Sequence, residues 1–234
     1  MFKDRLKGGF FVRPVYIILG LLLLSGCATN RDEEGLLSTF YQTYNALGSN
    51  HQLTKIEAEK LAFSVMQVSL NEQQQILMPL GFLSDKKQKW YSQDRFSFTT
   101  ELGRITQVYN VASEVSAIKP NALWKRFDLH QIALHQQVKM PIVLDFLTLN
   151  RFAVKGILSI QGVTIENRVV LGESVALLRI EEQVTIPAMD FTYTNLYWKD
   201  TKTSFIWESV QKWGPNVPEI HYKVVKPWKT VQYP

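Results

Sequence analysis

The chain has a single cysteine, and it has only four histidines among 234 residues. One cysteine excludes an internal disulfide framework and any Cys-cluster metal or iron–sulfur site. HExxH, GxSxG and the phosphate-binding glycine loop are all missing, which removes the most legible signatures of zinc proteolysis, serine hydrolysis and nucleotide use. His130 and His135 lie five positions apart, matching neither a helical i, i+4 metal pair nor two strand positions on one face. A Ser-His-Asp constellation is recognised by geometry and not by spacing, so it stays open. No acidic or basic excess marks the body of the chain. Lys3, Arg5, Lys7 and Arg13 carry most of the formal charge of +5, and a nucleic-acid groove needs a local basic excess that the remainder lacks. Apolar residues at 46% and charged residues at 20% describe a globular chain.

The longest uncharged apolar run is also short. Val15 to Leu24 follows the basic N-terminus, and ten helical residues span about 15 Å against roughly 30 Å of hydrocarbon. This is the h-region of a signal peptide over residues 1–26. Leu24-Ser25-Gly26-Cys27 follows and resembles the bacterial lipobox. In that chemistry the Cys27 thiolate is alkylated by a diacylglycerol, the peptidase cuts before Cys27, and the freed amine is acylated in turn, with palmitate as a typical chain. One myristoyl chain anchors only marginally, whereas two or three longer chains hold a protein on a bilayer. Residue 28 is alanine; by resemblance to Gram-negative lipoproteins, aspartate there would retain the protein in the inner membrane. Alanine implies an outer-membrane, lipid-anchored protein whose domain faces the periplasm. Residues 27–34 form a short lipidated tether, and residues 35–234 a single β-rich domain.

In that domain Leu36, Leu37, Phe40, Tyr41, Tyr44 and Leu47 recur at spacings of three and four, predicting an N-terminal helix with one apolar face. After it the pattern turns to strands. Leu61–Val68 follows a charged run. Gln75–Leu83 contains Pro79 and Gly81 and reads as an interrupted or edge strand. Lys89–Ser92 and Phe96–Thr100 form a hairpin, and Gly103–Tyr109 opens after a glycine turn. Ala112–Met140 suits a short helix or a packed loop. Phe152–Thr164 and Val169–Ile186 read as a hairpin turning at Glu166-Asn167-Arg168. Phe191–Trp198 and Ser204–Trp213 form another across Lys199–Thr203, and Glu219–Val225 is a last strand. About ten short strands at hairpin spacing predict a mainly β fold, an antiparallel β-sandwich or open barrel with an N-terminal helix.

Candidate chemistry is sparse. Paired carboxylates would serve glycosidase chemistry, but Glu181 and Glu182 adjoin and so point to opposite faces of a strand. Asp94 and Glu101 could face each other across a hairpin. Trp198, Trp207 and Tyr197 offer an aromatic stripe that could stack on sugar rings; burial in the core is the competing expectation, because tryptophans are mostly buried. The same reasoning expects Trp90 and Trp207 to be structural.

Asn195-Leu196-Tyr197-Trp198-Lys199-Asp200, Ile206-Trp207-Glu208-Ser209-Val210-Gln211, Pro215 and Lys226-Pro227-Trp228, with Trp90-Tyr91-Ser92-Gln93-Asp94 and Gly103-Arg104-Ile105 upstream, resemble the YjbF/GfcB-type outer-membrane lipoprotein family in order and spacing. The resemblance implies a mainly β lipoprotein associated with group 4 capsule or exopolysaccharide export. It implies no cofactor and no catalytic residues. Asp200-Thr201-Lys202-Thr203 lacks the glycine such a turn would have, so its turn type is in question. The expected role is an accessory factor in capsule or exopolysaccharide assembly and secretion, binding or scaffolding and not an enzyme. Its expected partners are the outer membrane through the lipid, and polysaccharide export proteins or the glycan itself. Two other readings stand beside it: a lipid-handling periplasmic barrel with a large apolar cavity, and a polysaccharide-modifying enzyme with clustered carboxylates or histidines.

Overall fold

The structure is a computed structural model. It describes residues 53–71, 75–84, 87–92, 96–109, 116–119, 128–134, 138–147, 149–212, 214–215 and 217–228, all within the compact unit Gly48–Pro234. The signal peptide, Cys27, the tether, the helix expected before residue 48, His51, Asp94 and His135 lie outside the described residues.

The first described element is a short helix, α1 (Lys55–Lys60), where the sequence reading had only a charged run. A capping box starts it. Thr54 Oγ1 accepts from Glu57 N, while Glu57 Oε2 accepts from Thr54 N at 2.8 Å, satisfying two orphan amides reciprocally. At its other end Lys226 Nζ donates to the carbonyls of Glu59 and Leu61, where a helix leaves acceptors unpaired.

Twelve strands follow among the described residues: β1 (Val65–Leu70), β2 (Ile76–Leu83), β3 (Lys87–Tyr91), β4 (Ser97–Glu101), β5 (Arg104–Tyr109), β6 (Ser116–Lys119), β7 (Val138–Phe146), β8 (Arg151–Val170), β9 (Glu173–Ile186), β10 (Phe191–Asp200), β11 (Ile206–Gln211) and β12 (Ile220–Lys226). Each pairs antiparallel with its sequence neighbours, and β1 also pairs with β12. The expectation of a mainly β antiparallel fold therefore holds. The sheet curls into a barrel and does not stack as a sandwich, and its strand order closes where an open one was expected. Among the described residues, closure is thinnest between β5 and β6, joined there by the pair Gln107–Ala117.

Several boundaries differ from the sequence reading, each for a local reason. Pro79 and Gly81 do not make β2 an edge; it is paired on both sides, with a bulge at Gly81. A Cβ at Gly81 would lie 2.6 Å from the Tyr91 ring, so the backbone passes where only glycine fits. The β8–β9 turn is not at Glu166–Arg168, which continue the strand. It falls at Leu171-Gly172, both with positive φ, the signature of a two-residue hairpin turn that glycine favours. The turn after β10 needs no glycine: Asp200 Oδ1 accepts the amides of Lys202 and Thr203 at 2.7 Å, and the one positive φ falls on Ser204. Within Ala112–Met140 lie β6, a 3-10 turn at Leu129–Gln131 and the start of β7.

Register defines two ends. The entry end holds the starts of β1, β3, β5 and β11 and the ends of β2, β4, β10 and β12; the far end holds the opposite termini. The 3-10 turn packs at the entry end, with Leu129 and Ile132 buried against Tyr197 and Ile206 and Lys199 Nζ donating to the carbonyls of His130 and Ile132. Inside, Met66, Met78, Trp90, Phe98 and Tyr222 form one cluster, and Met140, Leu144, Phe146 and Leu158 form another.

Candidate functional site

Period-two alternation sorts the polar side chains of β9 to β12 onto two walls. Glu182, Asn195, Tyr197, Ser209 and Gln211 face inward; Arg179, Glu181, Trp198, Glu208, His221 and Lys223 face outward.

The inner group is a closed network. Arg104 and Glu182, each 1% exposed, form an ion pair, with Arg104 Nη2 at 2.6 Å and Nε at 2.7 Å from Glu182 Oε2. Tyr197 OH donates to Glu182 Oε1 at 2.9 Å and Asn195 Nδ2 donates to the same oxygen at 3.3 Å. Gln211 Oε1 accepts from Ile105 N at 2.9 Å. Burial pulls the Arg104 guanidinium down, but Glu182 outweighs it and leaves the group above its ordinary value. Burial, seconded by the Glu182 charge, pushes the Tyr197 phenol well up. The network ties β5 to β9, β10 and β11, and its one carboxylate is committed to its own arginine.

The outer group is organised by the long β8–β9 hairpin. A bulge between Ile160 and Gly162 bends it, and its distal half crosses β10 and β11. Arg168 reaches Glu208 there. Its Nε donates to Oε2 at 3.1 Å and its Nη2 to Oε1, a fork-to-fork pair. The same guanidinium sits 4.5 Å from the Trp198 ring centroid, in cation–π range. Trp198 Nε1 donates to Glu166 Oε2 at 3.1 Å. From β12, His221 Nε2 donates to Glu208 Oε1 at 2.7 Å, and Lys223 Nζ stands 3.8 Å away.

Burial pushes the Glu208 carboxyl up. The hydrogen bonds from His221 and Arg168 and the charge of Lys223 outweigh that and hold it below the usual carboxylate range. A depressed carboxyl contributes stability above its unfolded value that is lost as pH falls through its folded one. The hairpin latch should therefore weaken as pH drops below about 4. Urea unfolding across pH checks this. Wild type should lose its advantage over Glu208→Gln in acid, and an advantage that persists unchanged would refute the latch.

Beside Glu208 the hairpin leaves a cleft of about 50 Å³, lined by Gln67, Gln75, Val169, Trp207, Glu208 and Lys223. A shallower notch of about 10 Å³ adjoins it, adding Ser69 and His221. Drug-sized ligand pockets run to about 300–1,000 Å³, so this cleft is too small to enclose a ligand of that size. Its amide, imidazole, ammonium and carboxylate groups suit hydroxyl-bearing surfaces of a larger molecule.

The aromatic candidates do not form an exposed stripe. Tyr197 and Trp198 are neighbours in β10 and point to opposite walls. Tyr197 is fully buried, Trp207 is 1% exposed and Trp198 is 4% exposed. Trp90 is fully buried as well, so both tryptophans expected to be structural sit in the core. Glu181 and Glu182 do face apart. Glu181 pairs with Arg179 at 3.2 Å, and Glu101 pairs with Lys87 at 3.7 Å. His130 Nδ1 meets the Ser204 carbonyl. Among the described residues no three His, Cys, Asp or Glu are grouped to hold a metal ion. Sequence reasoning missed the Glu208 cluster. Its signal was present as opposite charges two apart, Glu166 with Arg168 and Arg179 with Glu181, but placing Glu166–Arg168 in a turn hid it.

Comparison with known proteins fits this architecture. The chain is 21% identical to the crystallised hypothetical lipoprotein YmcC of Escherichia coli (K12), with a TM-score of 0.59 over 80% of this chain and 95% of that one; at that identity the likeness concerns the fold. It is 25% identical over 233 residues to the lipoprotein GfcB of Escherichia coli (strain K12), covering 92% of this chain and 99% of GfcB. It is 28% identical over 96 residues to the lipoprotein YjbF of the same strain, covering 41% of this chain and 43% of YjbF. The family model described as "Group 4 capsule polysaccharide lipoprotein gfcB, YjbF" matches residues 33–225, so the chain belongs to the GfcB/YjbF family of group 4 capsule lipoproteins.

Proposed function

We propose that this capsule-associated lipoprotein is an accessory factor in assembly and secretion of the polysaccharide. It is anchored through Cys27 in the outer membrane with its barrel in the periplasm, and it acts by binding and not by turnover. The observation that carries the reading is the family match over residues 33–225. The lipobox and Ala28 support the location. The polar cleft beside Glu208 supports contact with a hydroxyl-rich partner, because its amides, imidazole and ammonium sit on one outer wall.

Deleting the gene should lower surface polysaccharide without lowering cytoplasmic nucleotide sugars, which an outer-membrane protein does not reach. A soluble form, exported by a non-lipoprotein signal and carrying Cys27→Ser, should restore polysaccharide poorly. Anchoring raises effective concentration near membrane partners by orders of magnitude. Normal surface polysaccharide in a deletion strain that has no related gene to substitute overturns the role; full rescue by the soluble form overturns the scaffold part.

A further inference from the structure

Large apolar side chains gather, exposed, at the entry end. Ile56 on α1 is 67% exposed; Phe82 and Leu83 at the end of β2 are 55% and 50% exposed. They belong to one end by register. Val65, the first residue of β1, pairs with Pro79 and with Lys226, and Leu80 N donates to Ser64 O at 2.9 Å. The chain before Val65 and the chain after Leu80 therefore run past the same rim of the barrel. Phe82 and Leu83 are consecutive, so strand alternation sends them to opposite sides. Both are exposed because β2 projects here beyond β1. Lys60, Lys87 and Lys202 are exposed at the same end, with Glu59 as an exposed acid on α1 and Glu101 as the partner of Lys87.

We propose that the entry end is a membrane-contact surface. Phe82 and Leu83 enter the headgroup–acyl boundary of a phospholipid bilayer, and the lysines meet its anionic headgroups. Apolar tips with basic neighbours are the composition that binds interfaces, where apolar area and attraction to anionic lipid add. Chain connectivity selects the bilayer as occupant: the residues before Leu53, Cys27 among them, join the barrel through α1 at this end. The far end also shows Leu147 and Phe152 exposed, but α1 and this lysine group belong to the entry end. The inference rests on the anchored reading and adds an orientation to it, presenting the far end away from the bilayer.

The test uses the lipidated mature chain. Its native cysteine is blocked by lipid, so an introduced cysteine is the sole free thiol. Phe82→Cys and Phe152→Cys are labelled with an environment-sensitive dye and reconstituted into phosphatidylethanolamine/phosphatidylglycerol vesicles carrying spin-labelled lipid. Position 82 should be quenched several-fold more than position 152, as a label about 5–10 Å into the interface would be. Equal quenching, or stronger quenching at 152, overturns the inference while leaving the anchor intact. Protein that fails to float with the vesicles overturns the anchored reading and this inference together.

Discussion

Arg104→Ala should cost about 3–5 kcal/mol, the penalty for leaving one half of a buried ion pair uncompensated. Glu182 would keep the Tyr197 hydroxyl and the Asn195 amide, but two neutral donors do not replace a guanidinium that supplied a hydrogen bond from Nε and a close charge contact from Nη2. Against a typical domain stability of about 5–15 kcal/mol, the loss is a third or more in most cases. The loss should shrink when both charges go, although Tyr197 and Asn195 then lose their acceptor. Arg104→Met with Glu182→Leu removes the desolvation cost along with the attraction, and such replacements are often neutral or stabilising by about 1–4 kcal/mol. Urea midpoints of the single and double variants decide. A loss below about 1 kcal/mol for Arg104→Ala, the range of exposed pairs, would sink the claim that this pair is sealed from water.

Trp90→Ala should cost a similar amount, about 3–5 kcal/mol, from cavity formation instead of charge. Trp90 packs edge-on against Trp228 at 5.4 Å, and Phe205 joins Trp228 to Trp207 at 5.1 and 4.8 Å. Its Nε1 donates to Thr100 Oγ1 at 3.2 Å. Truncation thus opens space where β3, β11 and the residues after β12 meet. Trp90→Phe should recover much of the loss, because aromatic volume is partly kept. Thermal melts of the two variants compare them. A Trp90→Ala melt equal to wild type, with glycan binding abolished, would transfer Trp90 from the core to a recognition role.

Much of the barrel is legible in the sequence because hairpins are local. Alternation and turn residues locate β3, β4, β5, β10, β11 and β12 to within two residues. What escaped depends on tertiary context. Gly81 looked like an interruption because nothing local says that the Tyr91 ring lies against it. Glu166–Arg168 looked like a turn because polar residues on an outer wall resemble loop composition until a bent hairpin gives them Glu208 and Trp198. β1 meeting β12 cannot be read from either segment alone. The candidate site was less legible than the fold. Six tryptophans suggest an aromatic stripe, whereas charged and amide side chains on separated strands line the outer cleft. The expected lipidation of Cys27 draws on no tertiary information, since a peptidase reads a lipobox as sequence.

Closing the strand order through β1 and β12 also sets a timetable for folding. Ser64 Oγ donates to the Pro227 carbonyl, 163 positions later, so β1 waits for a segment made long after it. Contacts of such separation carry a large loop-closure cost before any bond rewards them, and proteins dominated by them fold slowly. The hairpins β3–β4, β8–β9 and β10–β11 can form as they emerge, but β1 then carries an unsatisfied edge until β12 arrives. An unpaired edge is a template for any passing strand. The growing chain is thus exposed to misassembly until β12 is made, and deletion of β12 would make that exposure permanent.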